Sequence, residues 1–184
     1  GVRFHVAANR HSPLGTILAL SDDPEPTVRS GVALSLEYDP LASPEVRQVK
    51  ESIALQLSRD PQVLVRLALV SNGRIPTTIL DSLAMDEDHV IRQKVAASGY
   101  ASKTALAALV QDSVLTVQTA ALANPNAPAA WLRHLASHSR TAVVMAICRN
   151  INTPGSILDS LSVNAIPDIR ASVASHERTR LSTL

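Results

Sequence analysis

The sequence predicts an all-α chain built as an α-solenoid of stacked two-helix repeats, with no sheet. Three observations predict it. A short helical motif recurs at a fixed period of about 26 residues. A hydroxyl–proline start followed by aliphatic residues at three-residue spacing recurs in step with it. The alternation of β-branched and aromatic residues that marks strands is missing. Aromatic residues make up 2% of the 184, against 46% hydrophobic residues. A core must therefore be assembled from Ala, Val, Leu and Ile.

The period is set by helix ends. Leu69-Val70-Ser71-Asn72, Val95-Ala96-Ala97-Ser98, Ala121-Leu122-Ala123-Asn124, Ile147-Cys148-Arg149-Asn150 and Val173-Ala174-Ser175-His176 follow one another at 26-residue steps. Units start at Val2, Val28, Val65, Ile91, Val117, Val143 and Ile169. Within a unit the first helix reads V-R-x-x-V-A-x-N. After a connector, the second helix reads [ST]-P-x-x-x-[LI]-x-x-L and closes on an acid. Ser12-Pro13 and Thr153-Pro154 are read as second-helix starts in which the hydroxyl caps free N–H groups and the proline takes the first helical position, with Pro76 and Pro128 in the same place. Leu80 and Leu83, Leu106 and Leu109, Leu132 and Leu135, and Leu158 and Leu161 then form the apolar face. A pair of short helices cannot cover its own apolar side, so neighbouring units must stack. The expectation is one solenoid domain over residues 1–184, its last unit truncated.

The step from Val28 to Val65 is 37 residues, an insertion of 11. Ser43-Pro44 repeats the capping signature, and the distance to Asp60 predicts a second helix about two turns longer than its siblings, after a lengthened loop from Leu36 to Ala42. Such an insertion is either a tolerated elaboration or part of a binding site.

The motif V-R-x-x-V-A-x-N with [ST]-P-x-x-x-L-x-x-L and an acid resembles the leucine-rich repeat variant family, best in Val2 to Asp23, Val65 to Asp86 and Ile169 to His176. The resemblance implies α-helices paired with short second helices, often 3₁₀, in a right-handed superhelix without sheet. It also implies an interaction scaffold with no catalytic residues. The unit is longer than the family's usual repeat of about 24 residues.

Composition narrows the function. Net charge is +1, which recruits neither nucleic acid nor membrane by bulk charge. No apolar run reaches the roughly 20 residues of a membrane-spanning helix, so membrane insertion is not expected. The single Cys148 excludes an internal disulfide and any site requiring several cysteines. No phosphate-cradling glycine loop or nucleophile elbow is present, so no enzyme activity and no cofactor is expected. The chain opens on Gly1-Val2-Arg3 rather than Met, as a segment of a larger protein would. Arginine outnumbers lysine 14 to 3, in keeping with a GC-rich bacterial source, and a cytoplasmic location is expected.

Arginine stands second in most units, at Arg3, Arg29, Arg66, Arg92 and Arg170. Six residues before the internal ones lie Asp23, Asp60, Asp86 and Asn164, and where His138 replaces the acid, Val144 replaces the arginine. Gln118 still faces Asp112. Asp23 with Arg29, Asp60 with Arg66 and Asp86 with Arg92 are therefore read as a structural ladder tying unit to unit. Asn9, Asn72, Asn124 and Asn150 are read as helix-ending caps whose amides satisfy free carbonyls. Cys148, where other units carry alanine, is read as a small buried residue. His134 and His138 fall short of a metal site, with two ligands on one helix and no carboxylate nearby.

One region departs from its siblings. No acid lies between Asp112 and Asp159, while Arg133, Arg140, Arg149, His134 and His138 do, and the only tryptophan, Trp131, is here. Trp131 either fills core space or anchors a partner. Asn126, Trp131, Arg133, His134 and Arg149 are the candidate partner-binding residues. The expected function is a protein–protein interaction scaffold or adaptor, with an unidentified protein partner. The alternative is a nucleic-acid-binding solenoid using its arginine rows. Open apolar ends of the stack would also permit self-association.

Overall fold

The computed structural model describes residues 1–137 and 140–176. Among these the chain forms thirteen α-helices and no strand. Contacts divide it into two compact units, Gly1–Val95 and Ala96–Leu184.

The first unit runs through α1 (Val2–Ala7), α2 (Leu14–Ser21), α3 (Pro26–Ser35), α4 (Pro44–Leu57), α5 (Val63–Asn72) and α6 (Thr77–Leu83) into α7 (His89–Ala97), which carries the division. The odd-numbered helices stack on one another, α1 on α3 and α3 on α5, while α2 packs on α3 and α4. The i, i+4 apolar pairs of the first helices make this layer: Val28 and Val32, then Val65 and Leu69, are all buried. Burying one such side chain contributes roughly 1.5–3 kcal/mol, and aliphatic burial is the main stabilising term in a core with almost no rings. Gly31 allows α1 and α3 to approach closely, since a Cβ there would lie 3.1 Å from the Ala7 Cβ and 3.2 Å from the Phe4 ring. Helix α5 ends on Gly73, whose φ of 68° lies in the left-handed region that glycine enters without a Cβ clash.

The second unit contains α8 (Lys103–Leu109), α9 (Leu115–Ala123), α10 (Ala129–Leu135), α11 (Thr141–Arg149), α12 (Gly155–Ser162) and α13 (Pro167–Ala174). Again the first helices form a layer, α9 on α11 and α11 on α13, with α8, α10 and α12 each against a neighbour from it. Val117, Val143, Ile147, Ile169 and Val173 fill the layer, and Leu106, Leu109, Leu132, Leu158 and Leu161 face it from the second helices.

The second helices are all α-helical rather than 3₁₀ and run seven or eight residues, except α4, which has 14. Their starts differ from the expected capping. Pro13, Pro76, Pro128 and Pro154 sit at the cap position with extended ψ, not at the first helical position. The preceding hydroxyl is then one residue too far back to reach the free N–H groups. Ser12 Oγ instead donates to the Val6 carbonyl at 2.7 Å and Thr153 Oγ1 to the Ile147 carbonyl at 2.6 Å, binding the second helix to the end of the first. Only in the insertion does the hydroxyl–proline pair act as a cap: Pro44 is helical and Ser43 Oγ accepts from Val46 N.

Candidate functional site

Two rows of polar side chains join successive repeats, one at each end of the first helices. At the N-terminal end, each acid starts a turn by accepting the N–H two residues on: Asp23 from Glu25, Asp60 from Gln62, Asp86 from Asp88 and Asp112 from Val114. The arginine six residues later donates to the backbone carbonyl of that acid, Arg29 to Asp23 at 2.7 Å, Arg66 to Asp60 at 2.7 Å and Arg92 to Asp86 at 2.8 Å. Its carboxylate partner lies one repeat further along. Arg29 forms a two-bond fork with Asp60, and Arg66 with Asp86, at 2.6–3.0 Å. Arg3 reaches Asp23 at 3.3 Å. The sequence spacing pairs each carboxylate with the arginine that follows it. A side chain that must clear its own helix start meets the carbonyl there, and its remaining fork extends across to the next repeat.

Burial deepens along this row. The arginine side chains are 59%, 14% and 6% exposed at Arg3, Arg29 and Arg66, against carboxylates 5–6% exposed. Hydrogen bonding to Asp60 and Asp86 holds the guanidiniums of Arg29 and Arg66 further above their already high ordinary value. In the second unit Gln118 donates to Val110, Val144 is buried, and Arg170 donates to the Asn164 and Ala165 carbonyls.

At the C-terminal end the tie is an amide. Asn124 Nδ2 donates to the Ala96 and Ser98 carbonyls, and Asn150 Nδ2 to those of Leu122 and Asn124, so each reaches back 28 and 26 residues. His176 Nε2 lies 3.0 Å from the Asn150 carbonyl, which can only accept, so this nitrogen carries the proton. Asn72 makes the same bonds across the insertion, to Ala33 and Leu36. Ser35 does so with a hydroxyl, donating to Ala7. These amides serve the preceding repeat's helix rather than their own.

The candidate partner-binding residues are carried by three segments, α10, the connector before it and α11. Trp131 is half-buried and meets His134 edge to face, with ring centroids 6.0 Å apart. His134 and Arg133 are exposed beside it on α10. Asn126 is exposed, but its amide is committed to the Gly99 carbonyl. Arg149 lies on α11 and lines a cavity of about 300 Å³ together with Cys148, Ser172 and His176. Burial raises the Cys148 thiol above its ordinary value, which opposes thiolate chemistry there. His138 lies outside the described residues. Among the described residues no three metal-ligating side chains gather, and no helix is long and apolar enough to cross a membrane.

Sequence reasoning missed a cluster made by the insertion. Glu37, in the loop before α4, accepts Arg10 at 3.0 Å and Arg74 at 2.7 Å on the same oxygen, while Lys50 Nζ donates to the Glu37 carbonyl at 2.7 Å. The backbone adds a bond from Tyr38 N to the Arg74 carbonyl. No spacing rule connects these residues, and the loop's extra length was the one available signal. Compared with models of known protein families and with curated protein sequences, the chain matches none.

Proposed function

We propose that this chain is a non-enzymatic protein–protein interaction scaffold, a right-handed α-solenoid of two-helix units of about 26 residues of the leucine-rich repeat variant kind. The observation that carries this reading is the return of one set of bonds at one spacing. Amides at Asn124 and Asn150 reach back 28 and 26 residues to equivalent carbonyls, and first helices stack on first helices. Arg29, Arg66, Asn124 and Asn150 spend their polar groups on bonds between repeats. What stays available to a partner is extended surface, which is how repeat arrays bind. Trp131, Arg133, His134, Asn126 and Arg149 are the residues through which the second unit would engage a protein.

A second reading has one observation in its favour. Residues 96–184 carry seven lysines and arginines against four acids, with no acid from 113 to 158. Such a surface attracts nucleic acid. One experiment separates the readings: capture from host lysate with and without nuclease, followed by a salt titration of whatever is bound. A defined protein retained after nuclease, and lost with Arg133→Glu plus Arg149→Glu at unchanged melting temperature, supports the scaffold. Capture abolished by nuclease, with affinity falling steeply as salt rises, transfers the assignment to nucleic acid.

A further inference from the structure

We propose that the cavity beneath the insertion loop receives the C-terminal residue of a partner polypeptide, its aliphatic side chain against the cavity's aliphatic residues and its free carboxylate beside Arg10 and Lys50. The cavity encloses about 200 Å³. Its lining includes four aliphatic side chains, Leu14 and Ile17 of α2, Leu36 of the loop and Val46 of α4, with the hydroxyls Ser12 and Ser35. Charged residues line it too, the cations Arg10 and Lys50 and the acid Glu37. A leucine or valine side chain is the size of group that fits such a space, and burying one is worth enough to select for it.

The charge count asks for an anion. Three cations, Arg10, Arg74 and Lys50, gather at Glu37, where the two arginines share its one carboxylate and Lys50 meets only its backbone carbonyl. The nearest other acid in the loop, Asp39, is turned onto its own backbone, accepting Leu41 N at 2.9 Å. Lysine has three donors and arginine five. Lys50 spends one on the Glu37 carbonyl and Arg10 one on the Glu37 carboxylate, which leaves further donors of both for a ligand. A C-terminal aliphatic residue is the simplest group carrying an apolar branch and a carboxylate on one carbon, matching the aliphatic and cationic lining together. An acid side chain within a peptide separates the two across different residues. This site is distinct from the surface around Trp131, so its success or failure does not decide the scaffold reading.

The test is an ¹⁵N chemical-shift titration of the full chain with a hexapeptide ending in leucine, as the free acid and as the C-terminal amide. The free acid should produce saturable shifts at residues 10–17, 35–38 and 46–50. The amide should bind at least about tenfold more weakly, the loss expected for a charge-assisted contact. Lys50→Gln and Arg10→Gln should each weaken the acid by about fivefold to tenfold and leave the amide unchanged. Arg10 is exposed, so its replacement leaves the fold intact, and Lys50→Arg should restore binding. Equal affinity for acid and amide overturns the proposal, as does acid binding indifferent to Lys50 and Arg10. Tighter binding of an amidated peptide with an internal glutamate also overturns it, as does the absence of saturable shifts at these residues.

Discussion

The two halves of the chain hold their repeats together in different ways. Residues 1–95 carry twelve of the sixteen acids and use buried guanidinium–carboxylate forks at the start of the first helices, with one asparagine and one serine at the other end. Residues 96–176 use a run of amides and an imidazole at the helix ends, and put Gln118 and Val144 where the forks would be. The same job of satisfying polar groups between helices is done once with charge and once without it. A buried charge is strongly bound only while its partner is present. An amide makes neutral bonds that neither salt nor pH reaches. The first half is thus the more brittle to substitution, and the amide ties of the second are the more tolerant of salt and pH.

The largest expected effect breaks a fork. Arg66→Ala leaves the Asp86 carboxylate buried without its partner and should cost about 3 kcal/mol by urea unfolding. Arg66→Lys should recover little of that loss, because a point charge cannot supply the two-bond fork and the carbonyl bond together. Hydrogen-exchange mass spectrometry should place the lost protection in residues 1–95. The equivalent lesion in the second half, Asn150→Ala, orphans the Leu122 and Asn124 carbonyls and should cost about 2 kcal/mol. If it costs more than Arg66→Ala, the contrast between the halves is wrong.

A smaller effect separates buried from exposed ion pairs. Arg10→Ala removes a pair whose arginine is 61% exposed and should change stability by no more than about 0.5 kcal/mol. That change should shrink further in 1 M salt, where the Debye length is about 3 Å, whereas the loss from Arg66→Ala should persist. The thiol gives a condition-independent check on the second half. Cys148, 2% exposed and raised by burial, should resist iodoacetamide at pH 8 until the chain is unfolded by urea. The smallest effect is at Glu45. Its own backbone N–H, then the Ser43 hydroxyl, hold its carboxylate below the ordinary 4.5. A lowered folded value means stability that is present above the ordinary pKa and lost as pH falls through the folded one. Glu45→Gln should flatten that acid limb slightly in a pH series of melting temperatures. The guanidiniums of Arg29 and Arg66 are raised, so the stability tied to their own protonation is fully present below the arginine range and lost only as pH rises through it.

The helical content and the apolar layers were legible because both rest on local rules. A valine and its i+4 neighbour share a helix face whatever lies beyond them, and Leu106 with Leu109 does the same in the second helices. The polar partners were less legible, because each is chosen by what comes within reach in space. Asp23 is the acid nearest Arg29 along the chain, yet only its carbonyl lies where the guanidinium passes, and Asp60 takes the fork. Ser12 carries the cap signature but stands one residue before the position that could use it. Arg10 and Arg74 meet Glu37 from 27 and 37 residues away, joined by a loop whose path no periodicity describes. Trp131 sits where Ile79, Ala105 and Ile157 are buried, and its larger ring stays half outside.

The direction of the amide bonds has a consequence for synthesis. Asn124 and Asn150 always donate toward the N-terminus, to carbonyls made 26 and 28 residues earlier. A chain leaving the ribosome exposes each acceptor before its donor exists, and water occupies it meanwhile. The ends of α7 and α9 are then closed by the arrival of the next repeat. Translation itself would supply the order of assembly, and a pause between repeats would hold the nascent chain at a defined, incompletely closed stage.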